Sequence, residues 1–209
     1  MKARHATDES RALRAARPAG RIDTREKLVR TAEKLMLRDG YSATRVDEVI
    51  RKAGLSKGSF YHFFDSKEAL GLAALEHYYS DRMSRLAAGS YASETDPLRR
   101  AEGFLEHASR VVEDLWATGC LLASLAADAA GSNRAIANAL KKRTSEFRAL
   151  LCDLLGPFAT PRITAAELAD HFLVCIEGSI VLARIYDDPT FLRRGLDGFR
   201  RCLGNDDAR

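Results

Sequence analysis

The chain has 209 residues, of which 46% are hydrophobic and 30% charged, with a formal net charge of +4. That length suits one large domain or two small ones, and the balance excludes disorder over the whole chain, because there is enough apolar material to bury a core. No apolar run approaches the roughly 20 residues that cross a bilayer, and Met1 to Asp23 lacks the apolar segment of a secretory signal.

The charge is unevenly spread. Residues 1–72 carry 16 Lys+Arg and 10 Asp+Glu, a net +6, while residues 73–209 carry a net −2. A basic first third suggests a polyanion partner at one end. Residues 1–23 hold Lys2, Arg4, Arg11, Arg14, Arg17 and Arg21 among few large apolar residues. They are expected to form a flexible arm, either simply solvated or able to touch phosphates or a minor groove.

From Thr24 the period is helical, with Leu28, Ala32, Leu35 and Met36 on one face. Asp23 and Glu26 resemble a capping box, and Gly40 is the expected stop. Val46, Val49, Ile50 and Ala53 mark a short second helix, with Thr44 as its expected cap and Gly54 as its end. Only Gly54-Leu55-Ser56 separates it from a third helix, Lys57 to about Phe64, capped by Ser56. Asp65 or Ser66 caps a fourth, running toward Ala88. Further helices are expected from Pro97 to about Trp116, Cys120 to Ala130, Arg134 to Leu155, Ala165 to Tyr186 behind a Thr164–Glu167 capping box, and from Asp188-Pro189 to about Leu203. No convincing strand or repeat is present, so the fold class is all-α.

Two short helices joined by a three-residue turn containing Gly are a helix-turn-helix signature. In the second of them Phe60, Phe63 and Phe64 can anchor to a core, leaving Lys57, Ser59, Tyr61 and His62 to face outward. In this motif the N-terminal residues of the second helix reach base edges in the major groove. Gly58 permits close approach. Tyr61 can offer its hydroxyl to a phosphate and its ring to a thymine methyl, and His62 can donate to a phosphate or base acceptor. Lys67, Thr44 and Arg45 are placed to meet the same backbone.

These residues carry a specific resemblance. The stretch from about Thr24 to Leu75 resembles the DNA-binding domain of the TetR/AcrR family of transcriptional regulators. The matching elements are Asp39-Gly40-Tyr41, Thr44-Arg45-Val46, Ile50, the run from Ala53 through Gly54-Leu55-Ser56-Lys57-Gly58-Ser59-Phe60-Tyr61-His62-Phe63-Phe64, and Ser66-Lys67-Glu68-Ala69-Leu70. Arg45 is a departure, standing where the family more often has a small hydroxyl residue. The resemblance implies an N-terminal three-helix DNA-binding domain (24–72) behind the arm (1–23), then a helical effector-binding and dimerisation domain (73–209). It implies a cytoplasmic homodimer that binds a palindromic double-stranded DNA operator and is released by a small-molecule effector, with no membrane partner. An activator of the same type remains open.

In the second domain, Phe172 to Ile185 is apolar nearly all round, so that burial on every side is expected. Ile176, Ser179, Ile180 and Ala183, with Phe191, Leu196 and Phe199 of the last helix, are the expected dimer contacts, and Gly178 and Ser179 would allow close helix approach. For an effector pocket the candidates are Phe104, His107, Val111, Trp116, Cys120, Phe147, His171, Phe172 and Cys175, a mixture of apolar and polar groups typical of ligand sites; residues of these types are more often core than ligand contacts. Trp116 to Leu122 resembles a segment of family members that respond to small reactive or unsaturated compounds. Cys120 is therefore a candidate redox or electrophile sensor if it lies near a cation or helix N-terminus, and otherwise an inert thiol. Cys120, Cys152, Cys175 and Cys202 never form CxxC, which fits cytosolic thiols better than disulfides or zinc. GxSxG, HExxH, P-loop and GxGxxG patterns do not occur, so neither an enzyme nor a cofactor is expected.

Overall fold

A computed structural model of the chain describes residues 23–113 and 115–204. The arm expected over residues 1–23 lies, but for Asp23, outside them. Ten helices occupy the described residues: α1 (Thr24–Asp39), α2 (Val46–Ala53), α3 (Lys57–Phe63), α4 (Lys67–Ala87), α5 (Pro97–Val112), α6 (Leu115–Thr118), α7 (Leu121–Asp128), α8 (Arg134–Leu155), α9 (Ala165–Tyr186) and α10 (Thr190–Gly204). Short 3-10 turns at Ser90–Ser93 and Gly156–Phe158 join them. No described helix is long and apolar enough to cross a membrane.

The amphipathic stripe of α1 is buried as its spacing requires, with Leu28, Ala32 and Met36 fully enclosed. It packs on α2, α3 and α4, making the small N-terminal core. The capping box at Thr164 closes in both directions. Thr164 Oγ1 accepts from the Glu167 N–H at 3.2 Å, and the Glu167 carboxylate accepts from the Thr164 N–H at 2.8 Å. The one expected at Asp23 does not form. Glu26 instead takes Arg30, one turn along, at 2.8 Å. α5 stops at Val112, earlier than expected, and the chain restarts as the single turn α6, which buries Leu115 and packs on α9.

The C-terminal helices surround α9. One side of it meets α8 and another α10. Phe104, Phe172 and Phe199 form a line of rings across α5, α9 and α10, with centroids 5.7 and 5.4 Å apart. Such contacts add to the area they bury. α10 crosses α9 at Gly195, where an added Cβ would lie 1.9 Å from Ser179 Oγ. The close approach expected at Gly178 and Ser179 is thus made by Ser179 alone, and inside the chain. Gly178 has nothing near its missing side chain.

The expected dimer contacts lie mostly inside one chain. Ile176, Ser179, Ile180, Ala183, Leu196 and Phe199 are all buried within one chain, and Phe191 stacks on Tyr186. The apolar circumference of α9 divides into two faces. The second face, at Val174, Val181 and Ile185, is 69%, 53% and 67% exposed. These positions, with Gly178, fall at i, i+4, i+7 and i+11 and so form one stripe.

Candidate functional site

The corner between α2 and α3 is set by local chemistry. Gly54 adopts the left-handed conformation (φ 61°, ψ 43°) that ends α2. The Leu55 N–H returns to the Ile50 carbonyl at 3.1 Å, which turns the chain sharply. Ser56 then caps α3, its Oγ accepting from the Ser59 N–H. Phe60 is fully buried and Phe64 nearly so, which pins one side of α3 to the core. Lys57, Gly58, Tyr61 and His62 are left on the other side, exposed, with Tyr61 at 60%. Gly58 has only Ser56 Oγ near its absent Cβ, at 3.8 Å. The fold therefore does not itself demand glycine there, whereas a partner pressed against α3 would.

Lys57 extends over α2 and pairs with Asp47 at 2.9 Å, both groups being well exposed. Hydrogen bonding to that carboxylate raises the ammonium pKa, so the charge persists at any working pH. A phosphate could compete for a pair this open to solvent. Ser59 is half-buried and shares a hydrogen bond with Ser56 Oγ at 2.9 Å. Arg45 is exposed and occupies the N-cap of α2, the place expected for Thr44.

Two expected contacts are redirected. Thr44 is 1% exposed, and its hydroxyl donates to the Gly40 carbonyl at 2.7 Å. Its side chain closes the turn between α1 and α2 and cannot also point at a DNA backbone. Lys67 donates to the Ser42 carbonyl at 3.0 Å, with its ammonium 4.5 Å over the Tyr41 ring. Its pKa is lowered by partial burial. It therefore pins the 40–44 turn, leaving its remaining N–H groups for any phosphate.

A cavity of about 280 Å³ lies among α4, α5, α7, α8 and α9. Phe104, Val111, Cys120, Phe147 and Phe172 line it, as expected. His107, Trp116, His171 and Cys175 do not. His107 Nε2 is bound to the Arg85 carbonyl at 2.8 Å. Trp116 packs against the core. His171 rests against the Phe199 ring, and Cys175 supplies its carbonyl to Ser179. The sequence reading missed Tyr78, Arg82, Met83 and Glu177, which also line the cavity. The first three belong to the second half of α4, beyond the apolar positions that mark its start. Packing against α5, α7 and α8 turns that face inward.

Cys120 sits at the N-cap of α7 but in the wrong surroundings for a reactive thiol. Burial, then the nearby Glu177 carboxyl, push its pKa up to about 12, outweighing the Leu122 and Ala123 N–H groups that pull the other way. A sensor thiol requires the opposite balance. Burial likewise raises the Glu177 pKa.

Helix α7 joins this cavity to the N-terminal helices. Its Leu122, Ala123 and Ala126 form wall. Further along, the Asp128 carboxylate accepts from the Ser42 N–H at 2.5 Å, and Ser124 Oγ reaches the Met36 carbonyl at 3.4 Å. The Ser42 bond holds the Asp128 pKa below the ordinary carboxylate range. Asn133, just beyond, binds Glu68 at 2.6 Å. Ser42 is therefore held from both sides, its carbonyl by Lys67 and its N–H by Asp128. Among the described residues, no group of three His, Cys, Asp or Glu is placed to hold a metal ion.

Comparison with known proteins agrees with this architecture. The family described as bacterial regulatory proteins, tetR family, matches residues 28–74. Residues 97–195 match the C-terminal domain of LmrA/YxaF-like transcriptional regulators. The HTH-type transcriptional repressor NemR of Escherichia coli strain K12 is 32% identical over 134 residues, covering 64% of this chain and 67% of that protein. The transcriptional regulator AcuR of Cereibacter sphaeroides is 29% identical over 204 residues, 91% of this chain and 90% of that one. The crystal structure of the reduced form of E. coli NemR superposes with a TM-score of 0.73 at 26% identity, covering 86% of this chain and 96% of that one. The chain belongs to the tetR family of bacterial regulatory proteins and is a DNA-binding transcriptional regulator.

Proposed function

We propose that the protein is a homodimeric repressor that binds a palindromic operator through α3 and leaves it when a small molecule fills the cavity. One α3 reads few base pairs. Two, held one or more helical turns apart at about 34–36 Å per turn, read an inverted repeat. The exposed stripe Val174, Gly178, Val181 and Ile185 is the surface on which two α9 helices would pair, and its apolar character supports that role. On α3, Tyr61 and His62 would contact base edges, with Gly58 permitting close approach. Lys57, Arg45 and Ser59 would serve the phosphates. Chromosomal DNA as partner puts the protein in the cytoplasm.

The observation that carries release by an effector is the hydrogen bond from Ser42 to Asp128. The same short helix forms cavity wall and grips the turn that precedes α2. A molecule that displaced α7 would therefore shift α2 and α3, and with them the spacing of the two reading heads. The coupling is reciprocal, so operator DNA must weaken effector binding by the same factor.

The test pairs fluorescence anisotropy on chromosomal fragments with promoter output in a deletion strain. A repressor yields higher output when deleted, and lower output would make it an activator. Failure to prefer any fragment at moderate salt would remove the proposal.

A further inference from the structure

Resting on the effector-released repressor proposed above, we infer that the cavity takes a small monocarboxylate with an apolar body, whose charged end is received by Arg82. Arg82 lies one helical turn after Tyr78 on α4 and lines the cavity. Its guanidinium carbon sits 5.1 Å over the Tyr78 ring. Nε and Nη1 are both buried and have no hydrogen-bond partner. Other arginines that bridge helices here meet carboxylates, Arg143 at Glu76 and Arg148 at Asp170, each at 2.5 Å. A guanidinium does not deprotonate to escape burial. Left without an oxyanion it is costly, and a bound carboxylate would remove that cost while supplying a planar, complementary acceptor.

Shape and charge narrow the class further. At about 280 Å³ the cavity lies just below the usual range of ligand sites, about 300 to 1,000 Å³. Met83, Leu86, Phe104, Val112 and Leu122 make its walls apolar, so the body of the ligand is a short chain or a single ring. Glu177 also lines the cavity and is engaged by Cys120, not by Arg82. Arg82 is the one cationic side chain among the described lining residues, so a second negative charge would find no counter-charge, which disfavours phosphate esters and dicarboxylates. A neutral amide or alcohol would fill the space but leave the guanidinium without a counter-charge.

Propionate, butyrate, hexanoate and benzoate, each beside its primary amide, test this on the full chain by thermal melting and by operator anisotropy. At least one acid is expected to raise Tm saturably and weaken operator binding, its amide requiring about tenfold more. Arg82→Gln is expected to lose about tenfold or more of the acid response, taken as the ratio with and without acid for each variant. Should Arg82→Gln fail to fold, Arg82→Lys, which keeps the positive charge without the planar fork, must weaken the acid while keeping its preference over the amide. Amides equal to acids, no acid acting on the wild-type chain, or an unaltered response in Arg82→Gln would overturn the inference. Acid stabilisation without binding to any DNA fragment would instead defeat the repressor and spare the carboxylate site. Fragment binding without any acid response would do the reverse.

Discussion

The two ends of the molecule use apolar residues differently. At the N-terminal end, Phe60 and Phe64 anchor a seven-residue helix from one side, and Gly58, Tyr61 and His62 on the other lie exposed. At the C-terminal end, α9 is apolar on two faces, one spent on α8 and α10 and the other left bare. In the first region the interface is what packing leaves over, and it is polar. In the second the surplus is itself apolar, so neighbouring residues of one helix have opposite fates: Ile180 is 3% exposed and Val181 53%.

That contrast is most sharply broken or upheld by two adjacent substitutions. Ile180→Arg buries an unpaired charge and is expected to cost about 4 kcal/mol or more, unfolding the chain in a melt. Val181→Arg is expected to change monomer stability by only about 0.5 kcal/mol while giving monomers in sedimentation. A folded, monomeric Ile180→Arg protein would show that the faces are assigned the wrong way round.

Next in size is the reactivity of Cys120. With its pKa near 12 the thiol stays protonated at pH 8. The gain in intrinsic nucleophilicity offsets about half of that loss, leaving alkylation slower than for an ordinary thiol by a few tens of fold. The rate should keep rising with pH beyond 10, where an ordinary thiol has levelled off. Mass spectrometry of alkylated peptides, with exposed Cys202 as the internal reference, checks this. Labelling of Cys120 as fast as Cys202 would revive the electrophile sensor.

On the polar side of α3, Tyr61→Ala is expected to weaken specific operator binding by about 1–3 kcal/mol and to leave the melting curve almost unmoved. A matching loss of stability would mean that Tyr61, which meets Phe60 edge to face at 5.1 Å, serves the core instead. The smallest effect is at Lys57. Lys57→Ala should lower affinity for all sequences alike and reduce the salt slope by about one. Lys67→Ala provides the comparison. Because its ammonium pins Ser42, it should lower stability as well as affinity, and an effect on the salt slope alone would contradict the turn-pinning role.

The legibility of these regions in sequence followed the range of the contacts involved. The α2–α3 corner depends on Gly54, Ser56 and the spacing of three phenylalanines, all within a dozen residues, and could be read directly. The Thr164–Glu167 box is equally local. Thr44 misled because a hydroxyl just before a helix usually caps it, whereas here it donates its hydrogen bond to the Gly40 carbonyl, four residues back. The cavity was half legible. Its apolar lining follows from buried helix faces, but Arg82 and Glu177 enter it only because α4 and α9 both border it in the folded chain.

The linear pattern alone determined an all-α chain, the helix boundaries to within a turn or so, and the α2–α3 corner with its exposed second helix, because capping, periodicity and the glycine corner act over one or two turns. Tertiary structure alone decided which face of α9 lies bare, which polar groups enter the cavity, and that Asp128 grips Ser42 from 86 residues away. A helix sequence states that it has an apolar side; which neighbour covers that side is settled by packing among all the helices together.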